Sequence, residues 1–175
     1  MMENKINEVI SVELSSSPCA IRDADDGYMG YATKNETIIF LGTLLTLEGS
    51  CTRICMESIS ASEYAAICEH FQIIQRDLFH WQSQLSLRIN TLGFKPFLGF
   101  YSDNNESILT NSATLTDSVK LFIDNLESIV KQLEDNMSRV RCDQIYNELS
   151  RMKQSHIANI SIVRGLKHAY LDQVR

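Results

Sequence analysis

The chain has 175 residues, 44% of them apolar and 22% charged, with seven glycines and two prolines. That is the size of one domain, large enough to bury a core without a metal or disulfide as a folding aid, and the composition excludes a disordered, collagen-like or proline-rich chain. Sixteen basic residues against twenty-two acidic ones give a formal charge of −6, so the overall field does not attract nucleic acid or an anionic membrane.

The first residues, MMENKINEVISVELSSSPCA, hold no basic segment followed by an apolar one, so they do not read as a secretory signal. Ile6, Val9, Ile10, Val12 and Leu14 suit one helical turn or one short strand, and the SSSPC and DADDG stretches after them read as loop. Residues 1–32 are expected to be an N-terminal extension, and 33–175 a bundle domain. The longest apolar run, IIFLGTLLTL at 38–47, has ten residues, where about twenty are needed to span a bilayer. The expected protein is cytoplasmic, with no membrane partner. Cys19, Cys51, Cys55, Cys68 and Cys142 follow no zinc-ligand spacing, and are expected as free thiols filling core space in a reducing compartment.

The first helix is predicted over 34–58. Thr33 and Glu36 form a capping box, and Ile38, Leu41, Leu45, Thr52, Cys55 and Ile59 run at helical spacing beside a second stripe through Leu44 and Cys51. The second is predicted over 61–92. Ser60 and Glu63 suggest another capping box, Ile67, Phe71, Ile74, Leu78, Trp81, Leu85 and Ile89 form its stripe, and Gly93 and Pro96 end it. Residues 94–113 carry loop signals and the aromatic cluster Phe94, Phe97, Phe100 and Tyr101.

The third helix is predicted over 114–140, on a stripe from Leu115 through Val119, Phe122, Leu126, Ile129 and Leu133. The fourth, over 143–170, carries Ile145, Leu149, Met152, His156, Ile160 and Val163. Only Arg141-Cys142-Asp143 separates them, without glycine or proline, so one continuous helix from 115 to 170 is the alternative. No period-two alternation occurs beyond the N-terminus, and the fold class is all-α. A two- or three-residue connection makes helices one and two antiparallel. A helix of 33 residues is about 50 Å long, and about twenty extended residues reach up to about 66 Å. The middle connection can therefore run the length of the bundle, as in a four-helix bundle with one long crossover between helices two and three.

Several ionisable residues interrupt the apolar stripes. Glu48 lies one turn after Leu44 and one turn before Cys51, and His156 lies between Met152 and Ile160. Asp77 and His80 are three apart on helix two, near His70; Glu127 and Glu134 are seven apart on helix three. A buried carboxylate needs a partner or a metal, so Glu48, Asp77, His80, Glu127 and His156 are the candidate ligands of a divalent metal such as iron. His70, Glu127 and Glu134 also fit stripes that border solvent. His156 is expected within hydrogen-bond reach of Glu48, Asp77 or His80. Arg76, Arg88, Arg139, Arg141, Arg151 and Arg164 are dispersed among acids and read as solvated. No G-x-S-x-G, phosphate loop or H-E-x-x-H occurs, so nucleophilic catalysis has no support.

HFQIIQRDLFHWQSQLSLRINTLGFKP, NELSRMKQSHIANISIVRGLK and LTLEGSCTRI resemble the second, last and first helices of a bacterial ferritin-like family of unknown function. The resemblance covers three segments of 33–168. It implies a ferritin-like bundle, with Glu48 and His156 at ligand positions. The di-iron pattern of that superfamily needs E-x-x-H on two helices. This chain has none; its nearest equivalent is Asp77-x-x-His80, and position −3 from His156 is Lys153. The expected function is that of a non-enzymatic bundle acting through self-association, as a homodimer, or through a protein partner. The alternative is a metal-binding bundle with a non-standard site holding iron, zinc or manganese.

Overall fold

The structure is a computed structural model, and it describes residues 30–96 and 114–172. All regular structure among these residues is helical. The four main helices are α1 (Lys34–Ala61), α2 (Ala65–Thr91), α3 (Leu115–Asn136) and α4 (Asp143–Leu166), which establishes the all-α class. Residues 97–113 of the expected crossover (94–113) and residues 1–29 of the expected extension (1–32) lie outside the described residues.

α1 starts as its sequence dictates. Thr33 Oγ1 accepts from the Glu36 amide at 3.1 Å, and Glu36 Oε2 accepts from the Thr33 amide at 2.8 Å. Its end differs from the expected 58. The Ser60 hydroxyl donates to the Met56 carbonyl at 3.0 Å, so Ser60 lies inside the helix and does not cap the next one. A serine satisfied by the carbonyl four residues back is no longer free to cap. α2 therefore begins at Ala65, with Tyr64 at its N-cap and no side-chain cap bond. At its other end Gly93 has φ +82°, its amide donates to Asn90 O at 2.9 Å, and Phe94 N donates to Ile89 O at 3.1 Å. This is the paired-bond stop that a glycine makes cheap.

α3 opens on a capping box between Thr114 and Asp117. It stops at Asn136 rather than 140, passes through a 3₁₀ turn at Met137–Arg139, and Val140 and Cys142 are extended. The continuous helix from 115 to 170 does not form. A tertiary contact does the work of a glycine stop: the Ala32 amide donates to the Arg139 carbonyl at 2.8 Å, and Arg139 pairs with Glu36 at 3.0 Å. α4 ends at Leu166, short of the expected 170, and a π-helical turn at Lys167–Leu171 follows.

α1 packs on α2 and α3, and α4 packs on α3 and α2, so α1 and α4 face each other across the bundle axis. The start of α1 meets the end of α3, and the end of α2 meets the start of α4 through Arg88 and Glu148. α1 and α4 thus run one way, α2 and α3 the other, and the chain leaves α2 and enters α3 at opposite ends. The core includes Leu41, Phe71, Leu78, Trp81, Phe122 and Met152. Phe71 and Phe122 stack with ring centroids 5.2 Å apart.

One sequence expectation is overturned here, that of a free thiol at Cys142. α1 is long and apolar enough to cross a membrane by length and composition, with mean hydropathy 1.4 over its best window. The ten-residue run understates it, because cysteines and threonines extend the apolar character beyond Leu47. Its packing against α2 and α3 buries 44% of that window. Cys51, Cys55 and Cys68 are free thiols, as expected, but Cys142 is disulfide-bonded.

Candidate functional site: a buried histidine–carboxylate pair

Glu48 lies mid-way along α1 and His156 mid-way along α4, on the stripes that face the bundle axis. Both are fully buried. His156 Nε2 and Glu48 Oε1 approach to 2.6 Å. The oxygen lies off the ring N–H direction, so neither carboxylate oxygen and neither ring nitrogen has an aligned hydrogen bond among the described residues. The proximity is that of a paired couple; the alignment is incomplete.

The surroundings extend the polar layer toward α2. Thr52 Oγ1 donates to the Glu48 carbonyl at 3.0 Å, and Gln82 Nε2 donates to the same carbonyl at 3.2 Å and also to Thr52 Oγ1. Asp77, half-buried on α2, accepts from Ser155 Oγ and from Asn159 Nδ2, the latter at 2.9 Å. Burial pushes the Glu48 carboxyl above its ordinary range, His156 pulls it back, and the charge of Asp77 adds to the rise. The Cys51 thiol, one turn away, is pushed up by burial and then by Glu48, and burial pushes Cys55 up to about 12. Both thiols are neutral groups in this layer.

The five candidate ligands are not brought together. Glu48 and His156 meet, and Asp77 stands beside them, tied to the residues flanking His156. His80 is exposed, its ring against Trp81 at 4.9 Å. Glu127 is exposed and pairs with Arg164. Each residue is 100° around a helix, so a position one step off the core stripe already faces solvent. Glu134 is likewise exposed and pairs with Lys153 at 2.9 Å, and His70 is exposed with Nδ1 at 2.8 Å from the Ala66 carbonyl. Among the described residues no three His, Cys, Asp or Glu side chains form a group that could hold a metal ion.

Ser155, Asn159, Thr52 and Gln82 were missed by the sequence reasoning. Asn159 carried a signal: it is three residues after His156 and next to Ile160, on the same buried side. Arg88 also departs from expectation. It is half-buried and forks onto Glu148, its Nε donating to Oε2 at 2.7 Å, which ties α2 to α4. A groove of about 240 Å³ lies between the start of α1 and the end of α3, lined by Glu36, Phe40, Gln132, Asn136 and Arg139 among others. Neither Glu48 nor His156 reaches it.

Fold and site together define an all-α bundle with a buried histidine–carboxylate pair in its interior. Residues 35–165 match the family described as a domain of unknown function, DUF6306. The match spans well over half the chain, and the chain belongs to that family. No curated protein and no solved structure matches it.

Proposed function

We propose that this protein is a ferritin-like helical bundle without catalytic activity, which acts by associating with a second copy of itself. The ferritin-like reading is supported by the parallel course of α2 and α3, whose connection has to join opposite ends of the bundle. The association reading is carried by one observation, the outward face of α1. Ile39 (68% exposed), Thr43, Thr46 and Met56 lie open, and Arg53 is the one exposed charge between Glu36 and Met56. The hydroxyls on this face are spent within the helix, Thr43 donating to Ile39 O and Thr46 to Gly42 O. A surface helix normally turns charges outward, and a large apolar patch ordinarily marks a contact. Less than half of the most apolar window of α1 is buried within the chain itself.

A two-fold dimer is the commonest way to cover such a face. Light scattering at micromolar concentration is the test: a mass near twice the 19.9 kDa of the chain is expected, and a mass near 19.9 kDa contradicts self-association. The reading places the bundle in the cytoplasm, which the free thiols of Cys51, Cys55 and Cys68 support. The disulfide at Cys142 argues for an oxidising compartment instead. Mass spectrometry of alkylated protein from cells decides: a free Cys142 thiol fits the cytoplasm, an oxidised one does not.

A further inference from the structure

Cys142 is disulfide-bonded, while Cys51, Cys55 and Cys68 are free thiols. The chain has five cysteines, so the one within it that is left to bond Cys142 is Cys19, in the SSSPC stretch. We infer that Cys19 and Cys142 form one disulfide, which anchors the N-terminal extension to the connection between α3 and α4, and that reduction releases this anchor. The crosslink stands apart from the association reading and from the question of compartment.

The backbone already brings the two parts of the chain together. The Ala32 amide donates to the Arg139 carbonyl at 2.8 Å, and the Arg139 side chain pairs with Glu36 at 3.0 Å. Cys142 follows Arg139 by three residues, at most about 10 Å of extended chain. Residues 20–31 can cover up to about 40 Å, and the chain bends at Gly30, whose φ of +75° suits a glycine. Cys19 can therefore reach Cys142 with α1 and α3 left in place. Cys142 stands at the N-cap of α4 and makes no side-chain cap bond, so the helix makes no claim on its sulfur. The other cysteines are placed elsewhere. Cys51 and Cys55 face the core of α1, and Cys68 lies at the opposite end of the bundle, its Sγ 3.6 Å from the Ile59 carbonyl. Cys142 is buried, yet it lines a groove of about 170 Å³ with Lys34, Leu92 and Gln144, through which a small thiol can approach. In the exchange, a thiolate of a dithiol reagent attacks one sulfur and breaks the Cys19–Cys142 bond, giving a mixed disulfide. The second thiolate of the reagent then displaces the protein sulfur. The reagent gives up two electrons and two protons and ends as a disulfide, and the protein gains two thiols. The bond closes a long segment, residues 19–142, and so removes many conformations from the unfolded chain.

Peptide mapping of the full chain tests the pairing. The protein is oxidised with glutathione disulfide, alkylated with iodoacetamide and digested with trypsin without reduction. Peptide 6–22 joined to peptide 142–151 is expected, and dithiothreitol should separate the two. Amide hydrogen exchange tests the anchor. The Ala32 and Val140 amides, which donate to the Arg139 and Met137 carbonyls, should exchange roughly tenfold or more faster after reduction, relative to the middle of α3, a factor within what one disulfide contributes. Cys19→Ser should show the fast rates without any reductant and leave Cys142 open to alkylation. Should Cys19→Ser fail to fold, the wild type before and after dithiothreitol still decides. Cys142 found free after the oxidation, Cys142 joined to any sulfur other than Cys19 of its own chain, or Ala32 and Val140 amides that exchange alike in both states would overturn the inference.

Discussion

At the scale of single residues, the consequential groups are those buried without full hydrogen bonding. Removing one partner of a buried charge pair leaves the other uncompensated, so His156→Ala should cost about 3–5 kcal/mol in denaturant unfolding. Replacing Glu48 and His156 together by Leu and Met should cost far less than that, because no charge is stranded; a double variant as unstable as His156→Ala would show that something other than the pair is lost. Trp81 is buried at 8% exposure, and its indole N–H has no partner among the described residues. Trp81→Ala should cost about 3–5 kcal/mol. Trp81→Phe should cost clearly less, since it removes an unsatisfied donor along with the volume. Glu48, His156 and Trp81 were legible because each stands on an apolar stripe. Periodicity resolves a face, not a side chain, so it could not separate Trp81 from His80 one step away, or place Asp77 at the edge of the site.

At the scale of the helix, the ends carry testable chemistry. Glu36 and Asp117 are the acidic halves of the two capping boxes. Hydrogen bonds from Thr33 hold the Glu36 carboxyl below its ordinary range, with Arg139 adding to the effect, and bonds from Thr114 do the same for Asp117. A carboxyl depressed in the folded state adds stability that is complete above its unfolded pKa and lost as pH falls through the folded one. Glu48, raised in the folded state, has the opposite sign: its burial favours folding at acid pH and loses that effect as pH rises. Thr114→Ala should cost about 1 kcal/mol at neutral pH. Its deficit should shrink in acid as Asp117 protonates in the wild type; a deficit independent of pH would detach Asp117 from the cap. The Thr33 box and the Gly93 stop could be read from sequence, because local hydrogen bonds make them. The Ser60 box was a decoy, since the same serine has a second local bond available inside α1. The stop after Asn136 left only a weak trace, because its bond comes from Ala32, over a hundred residues earlier in the chain.

At the scale of the whole molecule, the interior holds the helices together, and the outward face of α1 is the surface proposed for association. Metal content bears on the interior. Purified protein without stoichiometric iron, zinc or manganese, and with a Tm unchanged by chelator, is the expected outcome; about one equivalent of metal that disappears in His156→Ala would favour the metal-binding alternative. Four helices, and the opposed ends at which α2 is left and α3 entered, follow from loop lengths and stripes visible in the sequence. The face that α1 turns outward was less visible, because Ile39, Thr43, Thr46 and Met56 lie on neither of its two apolar stripes, both of which pack into the core. Thr46 sits at the centre of that face, exposed and clear of the core, so Thr46→Arg should leave the fold intact by circular dichroism. The most direct test of the association is the mass of this variant beside the wild type by light scattering. About twice the chain mass is expected for the wild type and the 19.9 kDa of a single chain for Thr46→Arg; a dimer that survives the arginine, or a wild type already of single-chain mass, would contradict self-association through this face.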